Sequence, residues 1–100
     1  MNRFGVELAP GAEADIREAF TWYRERNALI ADAFRAEVFD SIERIAEAPL
    51  ARPADESGNR KRVLRRFPYS VIYEEQASTV TVLAVAHHRR RPGYWVTTKG

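Results

Sequence analysis

With 100 residues, 45% of them hydrophobic and 30% charged, the chain has room for one modest core and the composition of an ordinary folded domain. It has no cysteine, which excludes disulfides and thiolate metal sites, and no apolar run near the roughly 18 residues that a membrane span needs. Net charge is only +2, but residues 1–59 hold seven Arg and twelve Asp or Glu (a balance of −5), whereas residues 60–100 hold nine Lys or Arg and two Glu (+7). Such asymmetry points to a cationic face built by the C-terminal half and directed at an acidic partner or a nucleic acid, the alternative being that the two halves neutralise each other across the fold. The opening stretch Met1 to Leu8 has no long apolar core followed by small residues, so it does not read as a secretory signal, and a cytoplasmic protein with one domain over residues 1–100 is the expectation.

In chain order, residues 3–8 alternate Phe4, Val6 and Leu8 with Arg3, Gly5 and Glu7, a short strand that Pro10-Gly11 stops. Ala12-Glu13-Ala14-Asp15 then opens a helix with acidic residues at the positive end of its dipole. Ile16, Ala19, Phe20 and Tyr23 form one apolar stripe at helical spacing, and Asn27 interrupts it. A second helix is predicted from about Ala28 to Ala48, with Ile30, Phe34, Val38, Ile42 and Ile45 inward and Asp32, Arg35, Glu37, Asp40, Glu43, Arg44 and Glu47 outward, ended by Pro49. So short a link makes the two helices an antiparallel hairpin. Residues 50–59 read as a loop, and three strands follow: 62–67 up to Pro68, 69–74, and 80–86, with Gln76-Ala77-Ser78 as the last turn.

The expected fold class is therefore α+β: an N-terminal strand, an antiparallel two-helix hairpin, then a three-stranded antiparallel meander, all forming one curved sheet. The helices can cover only one face of such a sheet, so the other is left partly solvated or in use.

Several segments carry a resemblance when taken in this order: Ala14-Asp15-Ile16; Phe20 through Tyr23; Ile42-Glu43-Arg44-Ile45 ending at Pro49; Arg66-Phe67-Pro68-Tyr69 followed by Val71-Ile72-Tyr73; and Val85-Ala86-His87 through Arg91-Pro92-Gly93-Tyr94-Trp95. Together they resemble the RelE/ParE toxin superfamily, often labelled plasmid-stabilisation proteins, over nearly the whole chain from Val6 to Trp95, and more its ParE-like branch. The resemblance implies the toxin of a toxin–antitoxin pair, masked by a cognate antitoxin of ParD-like or similar kind whose C-terminal arm is disordered when free. It places that arm beside the helical hairpin, at Phe20 and Tyr23, and along the basic strand at Arg62, Arg65 and Arg66. Those arginines would equally protect a bare sheet edge from aggregation, and both roles are compatible.

The superfamily divides by chemistry. Its RelE-like members cleave messenger RNA on the ribosome, which takes a general base, fixed cationic charge and a general acid on the exposed sheet face. One arginine there typically follows an aromatic at the start of the penultimate strand; aligned through Tyr69 and Tyr73, this chain has Ser70. A serine hydroxyl cannot replace the two-point grip of a guanidinium on phosphate. For a ribonuclease the candidates are His87, His88, Arg90 and Tyr94. For a binding poison of DNA gyrase, the function implied by the ParE-like branch, the target-binding candidates are Arg89, Arg90, Arg91, Tyr94 and Trp95. A plain packing role is the competing account of Tyr94 and Trp95, as a cap on the core. A degenerate toxin that only binds antitoxin is the third alternative. His87 and His88 are adjacent and so point to opposite faces of a strand, which argues against a metal site; no cofactor is expected.

Overall fold

The computed structural model describes residues 3–91 and 93–95; Pro92 of the last motif lies outside the described residues. The elements run β1 (Gly5–Leu8), α1 (Pro10–Arg24), α2 (Ala28–Glu47), β2 (Arg60–Val63), β3 (Tyr69–Gln76) and β4 (Thr79–His87). The four strands form one open sheet in the order β1-β4-β3-β2. The three C-terminal strands are the expected antiparallel meander, while β1 joins the outer edge of β4 in parallel, Val6 opposite Val80 and Leu8 opposite Val82. The helical hairpin crosses one face, carrying the chain from the β1 edge to the β2 edge.

Helix boundaries follow from backbone chemistry. Pro10 begins α1 rather than merely ending the strand, because the first helical position needs no N–H, and Ala9 offers its carbonyl to the amides of Ala12 and Glu13. Asn27 is the N-cap of α2: its Oδ1 accepts from the Leu29 and Ile30 amides at 2.9 and 3.3 Å. Inward from the helices, Ile16 and Ala19 of α1 and Phe34, Val38, Ile42 and Ile45 of α2 meet Val71, Tyr73, Val80, Val82 and Val85 of the sheet. Full burial of a large apolar side chain is worth about 1.5–3 kcal/mol, so this cluster is the main source of stability. Tyr73 is fully buried at its centre, and its hydroxyl donates to the Pro49 carbonyl at 3.1 Å, which pins the end of α2 to the sheet.

Two side chains of α2 depart from the expected stripe. Ile30 sits in the first turn, beyond the reach of the sheet, and is 45% exposed. Glu37 is not outward: its side chain is only 10% exposed and accepts from the backbone amides of Arg65 and Arg66 and from the Arg66 Nε. That contact explains a third difference. The strand expected over 62–67 stops at Val63, because the amides of Arg65 and Arg66 turn to Glu37 instead of a strand partner; Leu64 then closes a tight connection by donating to the Tyr69 carbonyl.

A bulge falls where Ile72 pairs with Ala84 but Tyr73 pairs with Val82, leaving Leu83 as the extra residue. Leu83, Ala84 and Ala86 thereby face away from the helices and form, with Ile72, a second small cluster on which Tyr94 and Trp95 pack. The β3–β4 turn is a two-residue loop, Ala77-Ser78, with φ of 48° and 67°. Both values lie in the left-handed region, the geometry of a type I′ turn made here without Asn or Gly.

Two outcomes follow for stability. Replacing Ala77-Ser78 with Asn-Gly should relieve the left-handed strain and stabilise the protein by about 1 kcal/mol, read as a Tm rise of about 4–8 °C; no gain would mean that the turn is unstrained. Burial works to raise the Glu37 carboxyl pKa, but the hydrogen bonds from Arg65 and Arg66 outweigh it and hold the group below its ordinary 4.5. Its contribution is therefore fully present above that value and is lost as pH falls through the lowered one. Glu37→Gln should cost about 1–3 kcal/mol at pH 7 in urea unfolding, and the gap to the wild type should close on acidification below 4.5.

Candidate functional site

The basic candidates Arg65, Arg66 and Arg89 to Arg91 converge on one end of the sheet. The β2–β3 connection and the segment after β4 lie side by side there, since Tyr69 pairs with His87 and the His88 amide donates to the Pro68 carbonyl at 2.9 Å. Arg65 and Arg66 thus share an end with Arg89, Arg90 and Arg91, although 23 or more residues separate them in sequence. All five are exposed. Like charges so close together raise the local potential and favour an anionic partner.

Beyond β4 the chain turns back over the open face. Arg90 donates its amide to the His87 carbonyl at 2.9 Å and Tyr94 donates to the Arg91 carbonyl at 3.3 Å. Gly93, with φ of 81°, supplies the left-handed residue that this reversal requires. Tyr94 and Trp95 then lie half-buried against Ile72, Leu83, Ala84 and Ala86, the core-capping placement weighed from sequence.

Of the ribonuclease candidates, His88 is set apart from His87, whereas Arg90 lines one hollow with His87 and stacks on Tyr94. His87 faces the helices with its ring edge-on to Tyr69, centroids 4.9 Å apart. Its Nδ1 accepts the Arg89 amide at 3.0 Å, so the neutral ring carries its proton on Nε2. Burial, then the charges of Arg89 and His88, lower its pKa and keep it neutral. His88 lies on the opposite face, where its Nε2 pairs with the Ser70 Oγ at 3.1 Å. Ser70 is buried, so it offers no open phosphate seat at the position where the RNA-cutting branch places an arginine.

Tyr94 is engaged as well. Its hydroxyl donates to the Asp15 Oδ2 at 2.6 Å, and the Val85 amide donates to the same oxygen at 3.0 Å. The Arg90 guanidinium stacks 3.8 Å above the Tyr94 ring. Burial, and then the bond to Asp15, push the Tyr94 hydroxyl far above the ordinary tyrosine value, so it holds its proton tightly. Asp15 itself is raised by burial, in spite of the bonds from Tyr94 and Val85 and the nearby charge of Arg90. Asp15, Glu18, Trp22, Tyr23, Tyr69, His87 and Arg90 line a hollow of about 560 Å³ between α1 and the end of β4. Within it Tyr69 is pushed up to about 12, by burial first and then by Tyr23 beside it.

The five antitoxin candidates do not share one surface. Phe20 opens into a groove of about 440 Å³ lined by the apolar Leu8, Ile16 and Phe39 and by the charged Glu13, Arg17 and Arg35. Tyr23 turns the other way, into an aromatic cluster with Phe34 and Phe67 at 5.4 and 5.3 Å between ring centroids. Arg62 lies on β2 at the far edge of the sheet, and Arg65 and Arg66 are held on Glu37. Sequence reasoning missed Asp15 and Glu37, which it assigned to a helix dipole and a solvated face; their partners are 28 to 79 residues away and leave no local signal. Phe39 and Arg35 at helical spacing beside Phe20's stripe would have marked the groove.

Among the described residues no three His, Asp or Glu side chains stand close enough to hold a metal ion, and no helix is long and apolar enough to cross a membrane. The geometry suits recognition of an anionic partner at one end and of an apolar segment along the groove.

Comparison with known proteins agrees with the fold and adds a family. A solved structure described as the chromosomal ParDE TA system from P. aeruginosa superimposes with a TM-score of 0.75, covering 85% of this chain and 96% of that chain at 16% identity. At that identity the likeness speaks for the fold alone. No curated protein matches the chain. The family model of the ParE toxin of the type II toxin–antitoxin system parDE matches residues 6–92, so the chain belongs to the ParE toxin family.

Proposed function

We propose that this toxin arrests growth by binding DNA gyrase through Arg89, Arg90, Arg91, Tyr94 and Trp95, with no chemistry of its own, and that a ParD-like antitoxin neutralises it. The observation that carries the reading is the Ser70–His88 pair: the position where an RNA-cutting relative needs a free guanidinium holds a buried serine, and the nearest histidine is bonded to it. Tyr94, the remaining acid for a cleavage step, already donates to Asp15, and burial and that bond raise its pKa, which makes it a weaker proton donor. What remains at the surface is cationic and suited to binding.

For the antitoxin, the groove at Phe20 is the better seat. Its apolar residues, bordered by Arg17 and Arg35 and by Glu13, match the apolar face of an amphipathic helix. The bare outer edge of β2, with Arg62, offers a second seat for an extended segment.

The deciding experiment is brief induction without antitoxin, with parallel readouts of DNA integrity and ribosome-bound mRNA. Broken DNA with intact mRNA supports the gyrase reading; mRNA cut at codon positions without DNA damage overturns it in favour of His87, His88, Arg90 and Tyr94 as an active site. Replacing Arg89, Arg90 and Arg91 together with Ala should abolish arrest while leaving Tm and antitoxin affinity nearly unchanged; a stably expressed triple variant of full toxicity would refute the basic segment's role. Phe20→Asp should do the converse, weakening antitoxin binding about 30-fold or more, as loss of a buried anchor of about 2 kcal/mol does, with arrest intact.

A further inference from the structure

β1 covers β4 only from Thr79 to Val82, so from Leu83 onward the outer edge of β4 has no strand beside it. The Val85 amide on that stretch is met by a side chain instead, the Asp15 carboxylate of α1. The same oxygen receives the Tyr94 hydroxyl, from a residue 79 positions away, at the short distance of 2.6 Å. A charge-assisted bond of this length is among the stronger ones a side chain can make. Tyr94 in turn carries Arg90 on its ring face at 3.8 Å and stands next to Trp95, their rings 5.4 Å apart.

We propose that Asp15 is a positioning residue for the target-binding segment: through Tyr94 it fixes the return of the chain over the open face, and so sets how Arg89, Arg90, Arg91 and Trp95 are presented. The inference rests on the reading of that segment as the target-binding surface. Arg90 links the anchored Tyr94 ring to the basic segment. A guanidinium free in solvent samples many rotamers, whereas one stacked on an anchored ring is held in one direction, which reduces the entropy lost on binding. Asp15 touches no target itself. It is half-buried, on the side of α1 that faces β4; the groove residues Ile16, Arg17 and Phe20 occupy another side of the same helix. Loss of Asp15 is therefore expected to disturb target binding and to spare antitoxin binding.

The chain's two tryptophans make the segment observable. In a Trp22→Phe background, emission reports Trp95 alone. Asp15→Ala and Tyr94→Phe should each shift that emission to the red and increase its quenching by acrylamide. They should raise the toxin concentration needed for growth arrest, and for inhibition of purified gyrase, about tenfold, with antitoxin affinity within twofold of wild type. The Asp15→Ala/Tyr94→Phe double variant should be no weaker than the more affected single one, because both remove one linkage. Asp15→Asn, which keeps an acceptor oxygen, should restore most of the loss. Tyr94→Phe leaves the Asp15–Val85 bond in place, so it tests the linkage even if Asp15→Ala folds poorly.

Unchanged Trp95 emission in both single variants would overturn the proposal, as would full potency in variants whose Trp95 has been released. Additive losses in the double variant would also count against it. A wild-type toxin that arrests growth without inhibiting gyrase would sink the gyrase reading instead, and the comparison of arrest among these variants would still decide the role of Asp15.

Discussion

A four-residue strand laid parallel on a nine-residue one leaves half an edge uncovered, and much of this molecule follows from how that half edge is completed. Backbone amides near the interior must find acceptors. A longer β1 would have supplied them, but the chain leaves the sheet at Leu8 because Ala9-Pro10 begins a helix; the Ala9 amide still reaches the Val82 carbonyl before the turn. α1 is therefore laid close along β4, and its Asp15 provides the acceptor that a strand would have provided. One carboxylate then serves both the sheet edge and the returning C-terminal segment.

The bulge at Leu83 complements this edge. Without it, Leu83 and Ala84 would fall on opposite faces and the register of β4 would slip by one at its far end. With it, Val80, Val82 and Val85 all face the helices, while Leu83, Ala84 and Ala86 make a second apolar patch that Tyr94 and Trp95 cover. The sheet thus has a large core on one side and a small one on the other. The charge imbalance between the halves of the chain resolves into both of its expected forms. Glu37 pairs with Arg66, and Asp15 lies near Arg90, so acids of the first half do answer bases of the second. Arg65, Arg89 and Arg91 remain exposed, and the cationic end survives the partial neutralisation.

What was legible in the residues was whatever repeats locally. The stripes Ile16–Ala19–Phe20–Tyr23 and Phe34–Val38–Ile42–Ile45 located the helices, and the dense apolar runs around Val71 and Val82 located β3 and β4. The parallel seat of β1 was not legible, since period-two alternation states that a strand exists and not which neighbour it takes. β2 was misplaced for a related reason: Leu64 and Phe67 look like strand residues, and only a glutamate 28 positions earlier turns their neighbours' amides out of the ladder. For the site, the basic run His87 to Arg91 could be named from its composition, and Tyr94 and Trp95 from the family resemblance. That His87 and His88 serve different faces followed from strand geometry, but that Ser70 holds His88 and Asp15 holds Tyr94 depends on contacts across 18 and 79 residues.

These long-range contacts bear on what kind of surface a small toxin can build. A proton-transfer site needs an acid and a base that converge on one reacting atom with matched pKa values. Here His87 is fixed by the Arg89 amide, His88 by Ser70 on the opposite face and Tyr94 by Asp15, each engaged with the fold. Fixed groups suit recognition, because rigidity lowers the entropy lost on binding. On the proposed reading, α1 then serves two partners from two sides: the groove at Ile16 and Phe20 for the antitoxin, and Asp15 behind the basic segment for the target. A single helix placed between both surfaces lets a chain of 100 residues present each of them on a rigid element. It also means that substitutions which separate the two activities must differ by helical face and not by position along the sequence.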